Sequence, residues 1–156
     1  MTESEATEID KVRALYDSLI AAWNARDAAA WAAACDDDTL VIGYDGSQMR
    51  GAPEIGATLK GIFDHHRTGA YVCIVREVTL LAAGVAALRA DTGLVPAGAL
   101  EINPATIAIQ TLVAKKTSGT WRVVHFQNTP AQFHGRPEAA AAFVEGLRAE
   151  MGRRAA

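Results

Sequence analysis

The sequence predicts an α+β domain, with helices packed on one face of an antiparallel sheet. Three observations carry this. Apolar residues recur every three or four positions near the N-terminus, which is helical spacing. The later part of the chain reads as four long strands joined by tight turns, and such strands pair antiparallel. Helices and long strands are segregated along the chain rather than alternating, which is the order of α+β folds. The length of 156 residues supports one domain, 1–156.

The first periodic segment, 5–24, places Ile9, Val12, Tyr16, Leu19, Ile20 and Trp23 on one face; Asp10, Lys11, Arg13 and Asp17 solvate the other. Asn24 tolerates the left-handed turn that ends a helix. Asp27 reads as the N-cap of a short second helix, 28–35, nearly all alanine around Trp31. The run Asp36-Asp37-Asp38 opposes the dipole at that helix's end and reads as a helix-end loop. A strand at 40–44, the turn signal Asp45-Gly46 and a return at 47–50 make a short hairpin. Pro53 suits the first turn of a third helix, whose face is Ile55, Leu59, Ile62 and Phe63.

Strand character then takes over. The segment 71–81 is rich in β-branched residues, and Ala83-Gly84 is a turn. The segment 85–95 alternates, with Leu88, Ala90, Thr92 and Leu94 on one side and Arg89, Asp91 and Gly93 on the other. A loop at 96–104, a strand at 105–115, a turn at 117–119 and a strand at 120–128 follow. Pro137 opens a C-terminal helix, about 137–150, with Ala140, Phe143, Val144 and Leu147 facing inward.

Composition excludes several function classes. Half of the chain is apolar, 21% is charged and 6% is aromatic. That is too apolar for disorder. Alanine is the most frequent residue and adds little buried area. The few aromatics must therefore fill the core or wall a cavity. Fifteen Lys and Arg against eighteen Asp and Glu leave a net charge of −3, with no general attraction to nucleic acid. Cys35 and Cys73 make neither a disulfide framework nor a zinc site. The first ten residues are acidic, unlike a secretory signal, and no apolar run approaches the roughly 18 residues of a membrane span. A cytoplasmic protein without nucleic-acid or membrane partners is expected.

The segments Ala21-Ala22-Trp23-Asn24-Ala25-Arg26-Asp27 and Asp37-Asp38-Thr39-Leu40-Val41, with Gly46, Arg50-Gly51 and Ile55, resemble the nuclear transport factor 2-like superfamily. A second match runs from Gly119-Thr120-Trp121-Arg122 through Val123-Val124-His125-Phe126 to Gln127-Asn128-Thr129-Pro130. The ending Phe126-Gln127-Asn128-Thr129 is similar to the SgcJ/EcaC branch of the SnoaL-like proteins. The resemblance covers about 8–133. It implies a conical, cystatin-like fold: a curved antiparallel sheet wraps a long N-terminal helix and leaves a pocket, and a C-terminal helix completes the domain. It also implies a homodimer paired through the sheet and, for several members, a part in natural-product biosynthesis. Members include ketosteroid isomerase, polyketide cyclases, dehydratases and pure binding modules, so the site must decide the function.

Ketosteroid chemistry needs a carboxylate base and a deep neutral acid. On the resemblance those positions fall on Gly43 and near Gln110, neither of which ionises. Tyr16 matches the family's helix-borne tyrosine position. Strand alternation groups other candidates. Arg89 and Asp91 share one strand face, and His125 and Gln127 share another, with Gln110 on a neighbouring strand. On the concave side they would form a polar floor, with His125 as acid or base, Asp91 or Gln127 orienting it, and Arg89 meeting an anion. The opposite parity puts Phe126 and Asn128 in the pocket, and a bulge in a bent strand would switch between the two. Trp23, Trp31, Tyr44 and Phe63 are further candidate pocket walls.

His65-His66 is no metal pair, because adjacent helix residues face different directions. Asp36-Asp37-Asp38 lacks the spaced ligands of a calcium loop. Neither a nucleophile elbow nor a nucleotide-binding glycine motif occurs. No metal and no cofactor are expected. The expected function is binding of a small, apolar, polyketide-like molecule, with a proton-transfer or cyclisation step at His125. The alternative is a non-catalytic carrier or dimerisation module, and a ketosteroid-type isomerase ranks third.

Overall fold

Thr2 starts the first helix. Its hydroxyl accepts the Glu5 amide at 3.0 Å, and the Glu5 carboxylate accepts the Thr2 amide at 2.9 Å, a reciprocal cap. The computed structural model describes residues 1–155. Helix α1 (Glu3–Asn24) buries Val12, Tyr16, Leu19 and Ile20. The left-handed residue after it is Arg26 (φ 57°), not Asn24. The Arg26 guanidinium donates to the Thr68 hydroxyl and to the Phe63 and His66 carbonyls, which ties α1 to the end of the third helix. Those bonds offset the strain of a positive φ at a residue with a side chain.

Asp27 caps α2 (Ala28–Ala33), its carboxylate accepting the Ala30 amide at 3.0 Å. This helix stops two residues short of the sequence expectation, and Cys35 already belongs to strand β1 (Cys35–Ile42). The acidic run is thus strand rather than loop. Its pairing with the last strand shifts register between Cys35 and Leu40. Asp36 stabilises the bulge by accepting the Asp38 amide at 3.0 Å, and the Thr39 hydroxyl donates to the Val123 carbonyl at 2.5 Å.

Strand β2 (Gln48–Arg50) returns antiparallel to β1. Gly51 follows with φ 84°, and a Cβ there would meet the Asp37 carbonyl oxygen at 3.0 Å. Helix α3 (Ala52–His65) buries Ile55, Leu59 and Phe63. The long strands are β3 (Ala70–Ala82), β4 (Val85–Val95), β5 (Ala108–Thr117) and β6 (Thr120–Pro130). A 3-10 turn, Pro104–Thr106, precedes β5.

The sheet order is β2-β1-β6-β5-β4-β3. It is mixed, not wholly antiparallel, because β1 and β6 run parallel. A parallel pair needs a long crossover, and here α3 and the four strands β2 to β5 supply it. One face of the sheet, the inner face, carries Leu88, Ala90, Leu112, Ala114 and Phe126 into a shared core with α1, α2 and α3.

The C-terminal helix α4 (Pro137–Ala155) packs on the opposite, outer face. The expectation of helices on one face therefore fails for this element. Val144 and Leu147 bury against Val72, Ile102 and Ile107 in a second, smaller core. Gly93 makes this possible, since a Cβ there would meet Leu147 Cδ1 at 3.0 Å and Ile102 Cγ2 at 2.9 Å. Among the described residues no helix is long and apolar enough to cross a membrane.

Candidate functional site

The helices do not fill the concave side of the sheet. A cavity of about 460 Å³ remains between the inner face, α1, α2, α3 and the β1–β2 hairpin. Trp23 from α1, Trp31 from α2 and Phe126 from β6 supply aromatic walls. Trp31 meets Phe126 edge-on at 5.3 Å, and the Trp23 indole N–H donates to the Gly69 carbonyl at 2.9 Å. Both tryptophans are therefore held rigidly. Val41, Met49, Leu59, Ile62 and Leu94 complete an apolar lining.

Polar side chains are the minority of the lining. At the mouth, the Tyr44 hydroxyl donates to the Ala105 carbonyl at 2.7 Å, joining the hairpin to the 3-10 turn. Asp45 is the one charged side chain among the described lining residues. The Ser47 amide, 2.9 Å from its carboxylate, holds Asp45 below the usual carboxylate range. At the floor, the Asn128 amide nitrogen donates to the Tyr71 hydroxyl oxygen at 3.2 Å. Asn128 is 7% exposed, yet its Oδ1 has no partner among the described residues. Burial pushes the Tyr71 phenol up to about 12, so it stays protonated.

Behind the floor, Tyr16 donates to Gln110 Oε1 at 2.6 Å, and Gln110 Nε2 has no partner. Gln110 faces Asn128 across the β5–β6 pair. Burial raises the Tyr16 phenol further still. Neither Tyr16 nor Gln110 lines this cavity. Phe63 also stands behind the wall, edge-on to Trp23 at 5.1 Å.

The acid–base candidates lie elsewhere. The β5–β6 register slips between Val113 and Ala114, leaving Val124 as an extra residue. Val123 points inward before this bulge and Phe126 after it. His125 and Gln127 consequently fall on the outer face, where His125 Nε2 donates to Gln127 Oε1 at 3.0 Å. Arg89 and Asp91 are on that face too. Arg76 binds Asp91 at 2.8 Å, and Arg89 sits 3.5 Å from Glu77. The polar floor expected from His125, Asp91, Gln127 and Arg89 is therefore not inside the cone. The physical reason is the bulge for β6 and plain alternation for β4.

Tyr71 is the cavity residue that sequence reasoning missed. The signal was available: Tyr71, Cys73 and Val75 alternate with residues of the outer face, and an aromatic opening an inward register is a wall residue. A second hollow of about 530 Å³ lies between α1, β3 and α4. On its α4 side the charges are paired. Glu150 binds Arg153 and Arg154, and Arg154 donates to the Cys73 carbonyl at 2.7 Å.

Comparison with known proteins agrees with this architecture. A domain of unknown function with a cystatin-like fold from Nostoc punctiforme superposes with a TM-score of 0.77, at 22% identity, over 99% of this chain and 94% of that one. A putative calcium/calmodulin-dependent protein kinase type II association domain from Thiobacillus denitrificans gives 0.68 at 20% identity, over 77% and 94%. A ketosteroid isomerase-like protein from Erwinia carotovora atroseptica gives 0.64 at 19% identity, over 80% and 97%. At these identities the likeness is one of fold. No curated protein matches the chain. The SnoaL-like domain family matches residues 12–131, most of the chain, and the protein belongs to that family.

Proposed function

We propose that this protein binds a small, largely apolar molecule inside its cone and holds it without performing acid–base chemistry on it. The cavity of about 460 Å³ carries this reading. Its size and its apolar wall with few polar groups are those of small-molecule sites. Turnover would need a base in reach of the ligand. Among its described residues the lining offers Asp45 alone, at the mouth, made a weaker base by Ser47. A ketosteroid-type proton transfer has even less support, since Gly43 stands where its carboxylate would be.

A polyketide-like ligand fits the aromatic walls, and the ending Phe126-Gln127-Asn128-Thr129 supports a place in the SgcJ/EcaC branch. A homodimer through the outer sheet face accompanies this reading. There Ile109 and Val113 lie half-buried between the charged pairs, and sedimentation equilibrium returning a monomer mass would exclude it. Binding is tested by titrating the protein with 1-methoxypyrene, a neutral polycyclic probe, and following tryptophan emission. Trp23 and Trp31 both touch the cavity, so saturable quenching is expected. Ile62→Trp, which fills the space, should abolish it. Quenching that does not saturate, or that survives Ile62→Trp, sinks the proposal.

A further inference from the structure

The hydrogen-bond inventory at the cavity floor is incomplete in a specific way. Asn128 spends one amide hydrogen on Tyr71 and leaves Oδ1 without a donor among the described residues. Tyr71 accepts that bond, and its own hydroxyl hydrogen meets no acceptor among the described residues. The floor thus holds an unpaired acceptor beside an unspent hydroxyl hydrogen, on two side chains already bonded to each other, with the unpartnered Gln110 Nε2 behind them. Buried polar groups left unpaired are costly, so a ligand that satisfies both gains over one that satisfies neither.

Charge narrows the choice further. No Lys, Arg or His is among the described residues lining the cavity, and the carboxylate of Asp45 stands at its mouth. An anion entering would lose its hydration, pass a like charge and find no counter-ion. A ketone or ether oxygen only accepts, so it would answer Tyr71 and leave Asn128 Oδ1 bare. An ammonium only donates, so it would answer Asn128 Oδ1 and leave the Tyr71 hydroxyl hydrogen bare. A hydroxyl group both donates and accepts through one atom.

We propose that the cavity selects an uncharged polycyclic ligand that buries a hydroxyl, phenolic or alcoholic, between Asn128 Oδ1 and the Tyr71 hydroxyl. The hydroxyl donates to Asn128 and accepts from Tyr71, while the ring system lies against the aromatic walls. This deepens the binding reading above and depends on it.

Three probes of one shape separate the terms at pH 7: 1-hydroxypyrene, 1-methoxypyrene and pyrene-1-carboxylate. The hydroxyl probe should bind about tenfold tighter than the methyl ether, the scale of one satisfied buried pair. The carboxylate should bind weakest. Asn128→Leu should bring the hydroxyl probe down to the ether's affinity in the same variant, with an unchanged cooperative thermal transition reporting that the variant is folded. Tyr71→Phe should remove part of the preference. Equal affinity of the hydroxyl and ether probes in the unaltered protein overturns the inference whatever the variants do. So does a preference that survives Asn128→Leu. Failure of all three probes to bind overturns the binding reading itself.

Discussion

The two faces of one sheet have opposite chemistry. On β6 the residues alternate between them: Phe126 and Asn128 face the cone, His125 and Gln127 face away. The outer face holds the side chains that usually signal catalysis, a histidine, an aspartate and arginines. Those polar groups lie in mutual pairs: Arg76 with Asp91, Arg89 with Glu77, His125 with Gln127. The inner face is nearly devoid of charge, yet it keeps Asn128 Oδ1 and Gln110 Nε2 unpartnered. A reactive residue type is therefore a poorer guide to a site than an unmet hydrogen bond. Groups that satisfy one another have little left for a ligand, whereas a buried orphan has a demand that something else must meet.

The largest expected break in this comparison comes from the outer face's own core. Gly93→Val puts side-chain atoms where Ile102 and Leu147 already lie, at 2.9 and 3.0 Å from the new Cβ. Overpacking of this kind costs about 1–3 kcal/mol. The loss should appear in denaturant unfolding, with amide exchange accelerated along α4. Binding of 1-methoxypyrene should persist, because the cavity lies across the sheet. Lost probe binding with α4 still protected would show that the two faces are not independent.

Much of this was legible in the sequence. Helical spacing located α1 and α3 because each must bury one stripe, and the turn signals Asp45-Gly46 and Ala83-Gly84 located hairpins because the backbone there needs special residues. The faces were harder. The parity of β6 depends on the bulge at Val124, which exists only relative to the register of β5. The parallel β1–β6 pair depends on where a distant strand docks. The stripe on α4 is visible, but which face receives it is decided by the missing side chain of Gly93 on β4. The early end of α2 follows from Cys35 and the acidic run being drawn into β1 by the Thr39–Val123 bond.

Glu8 gives a smaller test, one that places a carboxylate on the inner side but far from the cavity. It lies twelve positions before Ile20 on α1, roughly 18 Å along the helix. Lys116, at 3.1 Å, and then the Trp121 indole N–H, at 2.7 Å, hold its carboxyl below the usual range. The folded pKa is depressed, so the stabilisation is fully present above the unfolded carboxylate's pKa. It is lost as pH falls through the folded value. Glu8→Gln should lower Tm at pH 7, and the gap should close on acidification towards pH 3. Probe affinity should not change. A Tm difference equal at both pH values would refute the ionic part of this contact.

The smallest effect is the most informative. His125 is half-buried on the outer face and bonded to Gln127. Removing it takes away one pair at a partly exposed position, which costs no more than about 0.5 kcal/mol. His125→Ala should leave 1-methoxypyrene affinity unchanged within about twofold. If a substrate is found, turnover should also survive, since the imidazole is separated from the cone by the sheet. A large loss of turnover with unchanged probe binding would mean that chemistry happens on the outer face after all. A loss of probe binding with unchanged stability would mean that β6 transmits the outer side chain to Phe126 and Asn128. Either result would replace the contrast between a paired surface and an unsatisfied interior with a coupled strand.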